Sequence, residues 1–82
     1  MTFADAMSGM FAGKYAAHGG YAAGTYLYYD QANKRISKWT GGAGAWNDPN
    51  PSSGSGAAYA YTAGEIIDAS TGLPVTSWSF VG

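Results

Sequence analysis

Thr25-Tyr26-Leu27-Tyr28-Tyr29 decides the fold. β-branched and aromatic residues dominate it, and such side chains pack best on a pleated, half-buried surface, so the stretch predicts a β-strand. The polar segment from Asp30 to Lys34, with Ala32-Asn33 near its centre, predicts a turn, and Lys34 to Thr40 predicts the strand that returns beside the first. In that return strand Arg35, Ser37 and Trp39 share one face, and Lys34, Ile36 and Lys38 share the other. Both faces are mixed, as expected of a strand near an edge or lining a site.

Upstream, Phe3, Met7, Met10 and Phe11 recur at i, i+4, i+7 and i+8, and Ala6 fills the same stripe, which predicts an amphipathic helix over residues 3–11. Thr2 followed three residues later by Asp5 is a short capping box, and Gly13 stands where a left-handed residue ends a helix. Three turns are too few to be stable alone, so this helix needs a partner surface. Lys14 to His18 is compatible with a brief strand closed by a Gly19-Gly20 turn.

Downstream, residues 41–58 form a Gly/Ser/Pro-rich segment containing Trp46 and Asp48. Loops of that length tend to be binding loops or disordered, and the indole favours the former. Tyr59 and Tyr61 then recur at strand spacing, and Thr62-Ala63-Gly64-Glu65 has capping-box spacing ahead of a single helical turn. Thr71-Gly72-Leu73-Pro74 reads as a turn, and Val75 to Val81 as a final strand with Thr76, Trp78 and Phe80 on one face. The expected architecture is a single α+β domain over residues 1–82. In it a short N-terminal helix packs on a four- to five-stranded antiparallel sheet.

Composition limits what such a domain can be. Alanine accounts for 15 of the apolar residues and Ile, Leu and Val for only seven, whereas Phe, Trp and Tyr number thirteen, so the core must be built mainly from rings. Domains this small bury a low fraction of their surface. Without cysteine no disulfide can compensate, which leaves association into a homo-oligomer as the expected source of further buried area. Four Lys/Arg against five Asp/Glu argues against binding a nucleic-acid polymer, although a small anion needs only two or three donors. No apolar run approaches a membrane span, and Met1-Thr2-Phe3-Ala4-Asp5 lacks the basic start of a signal peptide, so a cytoplasmic location is expected.

The catalytic inventory is poor: one His, no Cys, and the acids Asp5, Asp30, Asp48, Glu65 and Asp68. Asp5 and Glu65 read as caps, Asp30 and Asp48 as turn residues. No nucleophile elbow, phosphate-cradling loop or dinucleotide fingerprint is present, and no metal-ligand or cofactor pattern is found, so no catalytic residue is assigned. What remains is aromatic surface beside a few cations, which suits capture of a planar group by stacking and hydrogen bonding. Of Tyr26, Tyr28 and Tyr29, at least one faces each side of the sheet, and half of these rings must simply be core. Lys14 and His18 would share a strand face, yet as solvated surface residues they need no further explanation.

The opening Phe3-Ala4-Asp5-Ala6-Met7, followed by Ala12-Gly13-Lys14-Tyr15-Ala16-Ala17-His18-Gly19-Gly20-Tyr21, resembles the Thoeris anti-defence sponges of the second type, a family of small phage proteins. Glu65-Ile66-Ile67 is similar to that family's helical turn, and Ser77-Trp78-Ser79 to its closing strand. The resemblance covers both ends of the chain and leaves the middle unaligned. It implies a helix on an antiparallel sheet, assembled as a homotetramer that sequesters a nucleotide-derived immune signal without cleaving it. The signals would be cyclic ADP-ribose isomers or cyclic oligonucleotides, met in an infected bacterial host. Tyr21 takes the place of a family Trp and would stack on adenine, His18 takes the place of an Arg and would face a phosphate, and Ser77 replaces an Asp. His lacks the bidentate fork and permanent charge of Arg.

The candidate ligand-binding residues are therefore Tyr21 and Tyr28 as rings, Lys14, His18 and Arg35 near phosphates, and Thr62 and Ser77 as polar contacts. A structural alternative is a small virion or assembly component whose Gly/Ala/Tyr-rich surfaces pack against other subunits. A nucleotide-processing enzyme would instead depend on His18 for proton transfer.

Overall fold

A computed structural model of the chain describes residues 1–40 and 56–81; the rest of the expected loop, residues 41–55 with Trp46, lies outside the described residues, as does Gly82. The elements are α1 (Phe3–Phe11), β1 (Tyr15–His18), β2 (Thr25–Asp30), β3 (Arg35–Thr40), β4 (Ala57–Ala58), α2 (Ala63–Ile66) and β5 (Trp78–Val81). They form the expected α+β arrangement: a short N-terminal helix and a five-stranded sheet in the order β4-β3-β2-β1-β5, every neighbouring pair antiparallel.

Helix α1 begins and ends where its sequence directs. The Thr2 hydroxyl accepts from the Asp5 N–H at 3.3 Å, and the Asp5 carboxylate accepts from the Thr2 N–H at 3.1 Å, completing the capping box. At the far end Gly13 adopts φ 95°, its N–H bonding to the Met10 carbonyl and the Lys14 N–H to the Gly9 carbonyl. These two bonds are the Schellman pair, and the left-handed φ is one that a side chain would disfavour.

Register fixes which side chains share a face. Ala16 lies opposite Leu27 and Phe80, and Leu27 lies opposite Lys38, so these four point to the same side, together with His18 and Trp78 one strand step away. Helix α1 covers this side. Ala6 and Met10 of the helix close a core with Ala16, Leu27 and Trp78, flanked by Met7, Phe3, Tyr59 and others. The opposite side carries the stacked Tyr15 and Tyr26, whose ring centroids lie 4.8 Å apart, and the buried Tyr28, Asp30 and Ser37. Tyr29 falls on the helix side, 5.2 Å from Phe11.

The C-terminal third departs from expectation. Strand β4 takes only Ala57–Ala58, inside the stretch read as loop, and Tyr61 stands exposed outside any strand. The final strand begins at Trp78 rather than Val75, because the Val75 N–H is drawn to the Ile66 carbonyl and Pro74 bridges Ile67. Residues 59–77 thus carry the chain from the β4 edge to the β5 edge, where Trp78 exchanges backbone hydrogen bonds with Met1.

Candidate functional site at the His18–Tyr21 turn

Strand β1 ends in a Gly19-Gly20 turn closed by the Tyr21 N–H on the His18 carbonyl at 3.0 Å. The Gly20 N–H donates to His18 Nδ1 at 3.0 Å, which assigns that nitrogen as the acceptor and puts the proton of the neutral ring on Nε2. The turn folds the Tyr21 ring back beside the sheet. Its centroid lies 5.7 Å from His18 and 5.8 Å from Trp78, meeting the indole edge to face, and His18 also lies 5.4 Å from Trp78. Lys38 reaches across from β3 and places its ammonium 4.4 Å from the centre of the Tyr21 ring.

Glu65 of α2 organises this cluster. Its carboxylate accepts the Tyr21 hydroxyl at Oε2 and the Thr62 hydroxyl at Oε1, the latter at 3.1 Å, and its backbone carbonyl accepts the Trp78 indole N–H at 2.9 Å. Burial pushes the Glu65 carboxyl up, but the Tyr21 and Thr62 hydrogen bonds outweigh it, assisted by Lys38 and His18, and hold it below the ordinary 4.5. Glu65 is therefore a pure acceptor at neutral pH. Burial first, and then the bond to Glu65, raise the Tyr21 hydroxyl, which stays protonated. Burial and the Glu65 charge likewise push Tyr59 up to about 12. The Tyr59 oxygen is buried and makes no hydrogen bond of good geometry, although Glu65 and Tyr21 stand near it.

Sequence-expected site residues divide three ways. His18, Tyr21 and Thr62 meet in this cluster, and Ser77 backs onto its turn: a Cβ built on Gly19 would come within 3.1 Å of the Ser77 side chain. Lys14 lies at the other end of β1, with its ammonium 4.7 Å from the Phe80 ring centre. Tyr28 and Arg35 sit on the opposite face and grip one backbone residue. The Tyr28 hydroxyl accepts from the Gly56 N–H at 2.9 Å, and Arg35 donates to the Gly56 carbonyl at 3.2 Å and to Ser37 at 3.2 Å. Ser37 in turn donates to the buried Asp30, whose carboxylate also holds the Asn33 turn.

Four residues of the cluster escaped the sequence reading. Lys38 carried a usable signal, since alternation from Ile36 puts it on the helix face of β3, and pairing with Leu27 puts it level with β1. Glu65 stands at a capping-box position, where its spacing predicts a cap. Thr62 is the N-cap by position, yet its hydroxyl donates to the Glu65 carboxylate and makes no cap to the backbone, so the same i, i+3 spacing serves a different bond. Tyr59 and Trp78 read equally well as core.

Among the described residues no group of three or more His, Cys, Asp or Glu side chains is placed to hold a metal ion, and no helix is long and apolar enough to cross a membrane. What the cluster offers is a polarised aromatic wall with a cation and a carboxylate beside it, able to meet a planar group, an anion and a hydroxyl together. Compared with family models, with curated proteins and with solved structures, the chain has no match.

Proposed function

We propose that this chain is a non-catalytic binding module that sequesters a nucleotide-derived signal, as the phage sponges it resembles do, acting as a homo-oligomer in the cytoplasm of an infected bacterium. One observation supports the reading most: the turn that carries the resemblance brings the Tyr21 ring together with His18, Trp78, the Lys38 ammonium and the Glu65 carboxylate. Stacking on Tyr21 would take the base, Lys38 and His18 a phosphate, and Glu65 with Thr62 a ribose hydroxyl. These are the three parts of a nucleotide. Cyclic ADP-ribose isomers and cyclic dinucleotides are the ligands to be titrated by calorimetry. The expected result is saturable binding of at least one of them, weakened roughly fivefold or more by Tyr21→Ala, in line with about 1–3 kcal/mol for a base–aromatic stack. Ligand released by heating the complex should be chemically intact. Absence of binding throughout the series, or recovery of a cleaved product, overturns the reading.

A further inference from the structure

We propose that Lys38 is a gate on the stacking face of Tyr21, opened by the phosphate of the ligand, so that the site admits phosphorylated nucleosides and rejects bare ones. This rests on the nucleotide-binding reading above and adds to it a residue and a selection rule. The Lys38 ammonium lies 4.4 Å from the Tyr21 ring centre and covers a face on which a base would stack. Among the described residues the same ammonium makes no hydrogen bond and no ion pair, although the Glu65 charge acts on it. The Glu65 oxygens each accept one hydroxyl, from Tyr21 and from Thr62, and among the described residues no ion pair joins them to Lys38. Among the described residues the charged end of Lys38 thus rests on the Tyr21 ring, with the Glu65 charge acting on it and no direct bond to fix it, on a flexible four-carbon stem.

Space for its movement is at hand. Lys38 also lines a groove of about 470 Å³ along the β3–β4 edge, whose other walls are Trp39, Thr40 and the small residues Gly56, Ala57, Ala58 and Ala60. That volume falls within the range of small-molecule sites. A cation–π contact at a partly exposed ring is weak, whereas a charge-assisted hydrogen bond to phosphate is among the stronger polar contacts. A phosphorylated ligand therefore exchanges the first for the second and gains the uncovered ring. A bare nucleoside must displace Lys38 into water with no phosphate to receive it, so the ammonium acts as a competitor already in place.

Two measurements test the gate. In the first, adenosine and cyclic ADP-ribose are titrated into the protein and into Lys38→Met, which keeps the stem and removes the charge. The variant is expected to lose tenfold or more in affinity for cyclic ADP-ribose and to bind adenosine no worse than before; equal weakening of both ligands, or no change in either, overturns the gate. The second follows the Lys38 methylene protons by NMR. In the free protein they should be shifted upfield by the Tyr21 ring, and inorganic pyrophosphate should return them toward ordinary values. If pyrophosphate leaves them in place, or if no ring shift exists in the free protein, the gate is wrong. If pyrophosphate moves them while no nucleotide binds, the gate stands as an anion response and the nucleotide reading falls.

Discussion

Glu65 accepts two hydroxyl hydrogen bonds and, through its carbonyl, the Trp78 indole N–H, so one residue ties the 59–77 crossover to the β1–β2 turn and to β5. Its folded carboxyl is held below 4.5, while the unfolded one titrates near 4.5. A depressed folded value means that the stabilisation is fully present above the unfolded value and is lost as pH falls through the folded one. Asp30 follows the same sign, with burial raising its carboxyl and bonds from Asn33 and Ser37 outweighing that. Thermal melts between pH 7 and pH 3 should therefore show the protein losing stability below about pH 5. Glu65→Gln should be less stable at pH 7 and should lose less on acidification, because only the Asp contributions then titrate. Parallel curves for the two proteins would show that the Glu65 charge is not what holds the crossover. The resemblance to the phage sponges points to Tyr21 as a stacking ring, but its partner is hidden in the sequence, because a Thr-x-x-Glu spacing reads the same whether the carboxylate serves its own helix or a tyrosine 44 residues away.

At the scale of elements, legibility tracks how local the determining contacts are. Helix α1 runs over the expected residues because both of its ends are set within a few positions, by Thr2 with Asp5 and by Gly13. Strands β2 and β3 agree within a residue, their turn being fixed by Asp30 and Asn33. Val75 to Ser77 alternate as a strand should, yet the Val75 N–H is claimed by the Ile66 carbonyl and the Thr76 carbonyl by the Met1 ammonium, contacts no local pattern encodes. The seam between α1 and β5 gives a test. Gly9 is buried, and a Cβ there would lie 2.1 Å from the Phe80 ring, which is 39 % exposed and can shift outward. Gly9→Ala should gain about 1 kcal/mol of helix propensity and lose more through displaced packing, for a net loss. In a Phe80→Ala background the obstacle is gone, and the same substitution should become stabilising. Denaturant melts of the four proteins read this directly, and absence of a sign reversal would show that the ring does not limit the helix's approach.

For the whole molecule, the sheet order leaves β5 as an edge with rings beside it. Phe80 is 39 % exposed and Phe11 59 % exposed, and with Gly13, Lys14, Tyr15 and Val81 the former lines a groove of about 540 Å³. Trp78 turns its N–H and C=O away from β1 toward Met1, so by period-two alternation Phe80 also turns its backbone outward, where another strand could pair. Light scattering should give a mass at least twice the 8.5 kDa of one chain, and Phe80→Glu should lower it. A monomer at micromolar concentration would overturn the homo-oligomer. The sequence by itself determined the helix, the β2–β3 hairpin and the α+β class, because capping, turn chemistry and side-chain periodicity act over a few residues; the core expected to be mainly rings instead joins Trp78 to Ala6, Met10, Ala16 and Leu27 under the helix. Only the tertiary structure decided that β5 crosses to pair with β1, that Lys38 covers Tyr21, and that Tyr28 and Arg35 hold Gly56 on the opposite face. Those outcomes depend on strand register and on a crossover between distant segments. Their hydrogen bonds and burial exist only once residues far apart in the chain have been brought within ångströms of each other.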